Sequence, residues 1–196
     1  MQAIITILIA GLFTDNFVLS KFLGVCPFLG VSKRLDTAVG MGAAVAFVMV
    51  VATAITYPLH AWLLLPLGLG YLQTILFIIV IASTVQLIEI FLKRYIPPLY
   101  NALGVFLPLM TTNCAIMGVT ILHFTTGLTY FEAMINAFAG GVGFLLAMVL
   151  FAGVRSRLEG NDIPKSLEGM PITLIAAAIM SMSFLGFVGL ADGLFS

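Results

Sequence analysis

The sequence predicts an all-α integral membrane protein of six transmembrane spans, arranged as two inverted three-helix repeats. Spans one and four are broken into half-helices, and both termini are extracytoplasmic. Three observations carry this reading. First, 62% of the residues are apolar and 8% charged, against about 45–50% and about 25% in soluble domains. Second, no charge occurs between Asp36 and Glu89, a run too long for one span of ~20 residues. Third, the basic residues fall in alternate connections between apolar runs.

The first run, 3–31, opens with "MQAIITILIAGLF". It has no basic leader and no small-residue cleavage site, so it reads as a retained span rather than a signal peptide. The charge-free run must turn, and "YPLHAWLLLPLGLGY", Tyr57 to Tyr71, supplies prolines, glycines and interfacial aromatics for the turn. Spans two and three therefore occupy 37–57 and 71–92. The remainder divides into 99–122, 132–153 and 171–191. The polar "VRSRLEGNDIPKSLEG" after Gly153 is the only sizeable loop, and no soluble domain fits beside it. The chain is thus one transmembrane domain, 1–196, with halves near 1–95 and 96–196.

Lys33 and Arg34 follow span one, Lys93 and Arg94 span three, and Arg155, Arg157 and Lys165 span five. The connections after spans two and four carry no basic residue. The positive-inside rule makes the first set cytoplasmic and puts both ends outside. Eight basic and eight acidic residues cancel, which gives no reason to expect a nucleic-acid or polyanion partner.

The halves share an order of features: a broken cysteine-bearing span, a glycine-rich helix, a plain apolar helix. "VGMGAAVAFVMVVA" from Val39 can be laid over the run from Gly140, matching Gly40 to Gly141 and Gly42 to Gly143. The cysteines align only with about a dozen residues inserted around "HFTTGLTYFEA". Three spans per half is an odd number, so the second half would enter the membrane in the opposite direction. The glycines in both stretches read first as sites of close helix approach.

Each half carries one cysteine on irregular backbone. Gly24, Pro27 and Gly30 flank Cys26; Pro108, Thr111, Thr112, Asn113 and Gly118 flank Cys114. Breaks in hydrocarbon persist only where protein or a polar cavity covers the freed backbone groups, so both thiols are expected to face inward near the midplane. Packing, as small buried hydrophobes, is one reading, and a disulfide pinning the broken spans together is another. Zinc is poorly motivated, because His60 and His123 fall at predicted interfaces and there is no Cys-x-x-Cys pair. The sharper reading is half of a [2Fe–2S] site, which takes four thiolates and would need two more from a second chain.

"NFVLSKFLGVCPFLGVSKRLDTAVGMG" together with "LPLMTTNCAIMGV" resembles the A-type subunits of the Rnf ion-translocating electron transport complexes. That family is homologous to the D and E subunits of the Na⁺-translocating NADH:quinone reductase, and the likeness extends through "VLFAGVRSRLE" and the glycine-rich last span. The resemblance implies a multi-pass subunit of a bacterial plasma-membrane translocase that couples electron transfer between ferredoxin and NAD to Na⁺ or H⁺ movement. It implies a homologous six-helix partner of the E type, further Rnf subunits, and one shared [2Fe–2S] cluster. Carried over residue by residue, its ligands here are Cys26 and Cys114. No catalysis by the isolated chain is expected.

Asp15 and Lys21, both inside span one, are candidates for an ion path, or for pairing near an interface. Thr112 and Asn113 either donate toward cluster sulfurs or satisfy broken backbone locally. Glu89 and Lys93, spaced i, i+4, read as a helix-end ion pair; Glu132 and Asp192 sit at outer boundaries. Two rivals stand beside the main reading: a small secondary transporter without a redox cofactor, whose transport would survive loss of both cysteines, and the equivalent quinone-reductase subunit.

Overall fold

The structure, a computed structural model, describes residues 8, 11–12, 16–64, 66, 68, 70–95, 107–158, 164 and 166–195. Asp15, Lys165 and the predicted boundary between the halves lie outside them. Among the described residues every regular element is helical. The α-helices are α1 (Val25–Val31), α2 (Leu35–Leu59), α3 (Gln73–Tyr95), α4 (Leu107–Thr111), α5 (Cys114–Thr125), α6 (Tyr130–Leu158) and α7 (Met170–Phe195). Leu35–Leu64, Gly70–Tyr95 and Tyr130–Leu158 are each long and apolar enough to cross a membrane, and Leu109–Thr125 and Met170–Gly186 form shorter apolar helices.

The turn expected from Tyr57 onward begins later. Pro58 stays within α2, and the chain widens into a π-helical turn over His60–Leu64 before a 3-10 turn, Gly70–Leu72, enters α3. Pro58 has no N–H to give the Ala54 carbonyl, and the change from α- to π-helical winding follows within two residues of it. At the other predicted boundary, α6 continues five residues past Gly153 to Leu158.

The core is the crossing of α2 with α6, and glycine sets its closeness. A Cβ on Gly42 would meet Leu145 Cα at 2.9 Å, and one on Gly141 would meet Ala46 Cα at 2.6 Å. The partner of Gly42 comes four residues after Gly141 while Ala46 comes four after Gly42, so the helices run antiparallel. Small residues allow the backbones to touch, which substitutes for the hydrophobic drive that lipid cannot supply between helices. Met41, Val45, Met49, Phe144, Ala147 and Met148 are fully buried in this seam.

The segment before α1 lies in the same glycine groove. Gly140 faces the Phe17 ring, with a Cβ placed 2.6 Å from its edge, and Gly143 would bring a Cβ to 2.7 Å from the Gly11 carbonyl oxygen. Asn16, wholly buried, ties the segment down: its Nδ2 donates to the Gly143 carbonyl (2.8 Å) and its Oδ1 accepts from the Val18 (3.1 Å) and Leu19 (3.4 Å) amides. Ser181 Oγ of α7 donates to the Leu19 carbonyl (2.5 Å). These bonds cover an irregular stretch whose polar backbone would otherwise be left bare in an apolar setting.

Candidate functional site

Two helix starts meet above the α2–α6 crossing, and each carries a cysteine. α1 begins after Gly24, whose φ of 85° lies in the left-handed region and which offers no side-chain cap. Glycine takes this conformation without strain, and there is no room for anything larger: a Cβ would come within 2.8 Å of Phe144 and 3.0 Å of the Ala115 Cβ. Two residues earlier Phe22 holds φ 55° with its side chain 62% exposed. α5 begins after Asn113, in extended backbone (φ −70°, ψ 111°), whose side-chain Oδ1 accepts from the Ala115 amide at 3.0 Å.

One hydrogen bond joins the two turns. The Gly24 N–H donates to Cys114 Sγ, 2.9 Å away, while Cys26 stands two residues beyond Gly24 in the first turn of α1. Both thiols are unpaired; Cys26 is exposed on the chain surface and Cys114 half-buried. The turns that carry the two predicted ligand residues, 88 positions apart in sequence, are thus joined, the sulfur of Cys114 receiving a backbone donor from the turn that precedes Cys26.

The breaks are not where the flanking prolines and glycines alone would put them. Pro27 sits in the first turn of α1, where a missing N–H costs nothing, and Gly30 lies inside that helix with open space around it. Gly118 lies inside α5 and seats the Leu23 side chain, with a Cβ placed 2.5 Å from Leu23 Cδ1. The true interruptions are Gly24 and the Thr112–Asn113 step.

The other end of α1 is pinned by a residue that counted in the sequence only as a topological charge. Arg155 Nη1 donates to the Leu29 carbonyl (2.8 Å) and to Ser32 Oγ (3.2 Å). A cation on the last carbonyls of a helix also suits its dipole. Phe28, fully buried, stacks on Phe151 of α6 with ring centroids 4.2 Å apart. The short helix that carries Cys26 is therefore fixed at its start, along its side and at its end.

Of the remaining candidates, Thr112 is exposed in the turn between α4 and α5, and Asn113 is buried. Asn113 Nδ2 has no hydrogen-bond partner among the described residues. Lys21 lies over the Phe17 ring, 5.4 Å from its centroid, which holds the ammonium by cation–π attraction. Asn16, Ser181 and Arg155 escaped the sequence reading as site-forming residues. A lone asparagine in an apolar run is a signal that was available for Asn16; nothing local announces the other two.

The residues present suit a shared iron–sulfur group. Cysteine thiolate is its ligand type, a backbone N–H already points at one sulfur, and a buried amide donor beside it is unused.

Comparison with known proteins agrees in scope. The model of the family described as "Rnf-Nqr subunit, membrane protein" matches residues 4–191. A relative from Acetobacterium woodii, the A component of its "Na(+)-translocating ferredoxin:NAD(+) oxidoreductase complex", is 54% identical over 98% of this chain and 100% of its own length. The A component of the "Ion-translocating oxidoreductase complex" of Syntrophotalea carbinolica is 49% identical over 98% of this chain and all of its own, and that of Escherichia coli K12 46% over 97% and 98%. Matched over residues 4–191 by the family model and over 97–98% of its length by these relatives, the chain belongs to the Rnf-Nqr family of membrane-protein subunits.

Proposed function

We propose that the chain is the A-type membrane component of an ion-translocating ferredoxin:NAD oxidoreductase of the bacterial plasma membrane. In this reading it passes electrons one at a time through a [2Fe–2S] cluster shared with a homologous six-helix partner, and the transfer is coupled to Na⁺ or H⁺ movement. The observation that carries the reading is the Gly24 N–H donating to Cys114 Sγ at 2.9 Å, which joins the two cysteine turns. The relatives' names supply the class of complex.

Cys26 and Cys114 would hold iron from this side, and the exposure of Cys26 leaves a face on which a second chain can add two thiolates. A [2Fe–2S] cluster supplies a one-electron store inside an insulator about 30 Å thick. The rest is the work of this chain. Gly24 aims its amide at the Cys114 sulfur, Arg155 holds α1 against α6, and Phe144 and Phe151 fill the space behind the turns and keep water out. From Cys114 to the end of α5 the helix rises ~16 Å, about half the apolar thickness, which suits a site near mid-depth. The antiparallel α2–α6 crossing has the direction that two inverted halves require, and the alternation of basic connections is what puts both termini outside in this reading.

The test is iron and acid-labile sulfide content, with EPR of the reduced sample, on the purified complex before and after Cys26→Ser or Cys114→Ser. Loss of one [2Fe–2S] signal and of its iron in each variant is expected. An unchanged signal in either would overturn the assignment.

A further inference from the structure

The Asn113 carboxamide does two separable jobs, and only one is structural. Its Oδ1 accepts from the Ala115 amide at 3.0 Å. A backbone N–H can only donate, so the atom facing it is the oxygen, and the orientation of the amide is fixed by that bond. Nδ2 then points elsewhere with two hydrogens to give. It is buried, in a residue 3% exposed, and has no partner.

An unpartnered donor is costly in a buried, apolar setting. The nearby backbone carbonyls of α5 are occupied by its own helix ladder. The side chain lies against the start of α1, since a Cβ on Gly24 would come 3.3 Å from Asn113 Oδ1, and Gly24 is the residue whose amide reaches Cys114 Sγ. The carboxamide and the sulfur therefore both lie against the Gly24 turn. Residue choice points the same way. Aspartate caps a helix equally well but leaves no donor, and serine and threonine are one atom shorter; asparagine caps and still extends an N–H beyond the cap.

Resting on the cluster reading above, we infer that Asn113 is a positioning residue that sets the reduction potential of the shared [2Fe–2S] group by donating from Nδ2 to one of its sulfurs. Such a donor stabilises the more negative, reduced state and raises the potential. Thr112, exposed in the turn, is not required for this role.

The experiment is a redox titration by EPR on the intact complex carrying Asn113→Ser, with iron and labile sulfide measured on the same samples. Serine keeps a capping oxygen but withdraws the reaching donor. Full cluster content with a midpoint shifted to more negative potential is expected; full content with an unshifted midpoint overturns the inference while leaving the cluster reading intact. Should the variant fail to assemble, the native complex grown with ¹⁵N-asparagine decides: pulsed EPR of the reduced cluster must show a ¹⁵N coupling, and its absence overturns the proposal. Absence of any [2Fe–2S] signal from the native complex would instead defeat the cluster reading itself.

Discussion

The two cysteine turns solve one problem with different residues. α1 starts from a glycine with left-handed backbone and no side-chain cap, and its cysteine is exposed; α5 starts from an asparagine whose side chain caps it, and its cysteine is half-buried. The glycine turn directs its own amide to the sulfur of the asparagine turn. One turn leaves its cysteine exposed, the other holds its cysteine half-buried.

The largest way to break this comparison is to remove the sulfurs. Cys26→Ser and Cys114→Ser should each abolish the EPR signal of the pair, despite their unequal burial. If only the buried one mattered, the outward turn would not be a ligand at all.

Next comes Gly24→Ala. It forces a side chain onto φ 85° and into Phe144 and Ala115, a combination of strain and overpacking expected to cost ~2–4 kcal/mol and to lower cluster content. Gly30→Ala, further along α1 and facing open space, is the control: thermal unfolding in detergent should be unchanged or slightly raised, since Ala favours helix over Gly by about 0.5–1 kcal/mol. Equal effects at the two glycines would refute the special role given to the Gly24 turn.

A smaller effect is expected from Arg155→Gln, which removes a charged donor from the Leu29 carbonyl and Ser32. About 1–2 kcal/mol should be lost, read as earlier unfolding, and Cys26 should label faster with a thiol reagent when its partner chain is stripped away. The smallest is Phe22→Gly. Relief of φ 55° should stabilise the isolated chain by about 1 kcal/mol, in the opposite direction to Gly24→Ala although the two positions are neighbours.

Much of the architecture was legible in the sequence because membranes impose coarse rules. Apolar run length and alternating basic loops gave the span pattern; among the described residues three helices are long and apolar enough to cross a membrane, and α2 and α6 each run on past the expected end, at Pro58 and Gly153. Both cysteine-bearing segments were readable as interrupted, though the breaks were assigned too widely: Pro27, Gly30 and Gly118 lie inside helices, tolerated for three different reasons. The glycine stripe of α6 was legible as a packing surface. The bonds that make the broken segment tolerable in an apolar core were not. Asn16 to Gly143, Arg155 to Leu29 and Ser181 to Leu19 join residues more than 120 positions apart, and no local pattern encodes such distances. The orientation of Asn113, with its oxygen turned to the Ala115 amide, likewise could not be read from its position in the sequence.

The most direct measurement is an iron-edge anomalous difference map of the complex. The account predicts iron density within bonding distance of the sulfurs of both Cys26 and Cys114, with the remaining iron ligands supplied by another chain. Two cysteine sulfurs without iron density between them, or turned apart toward lipid, would contradict it.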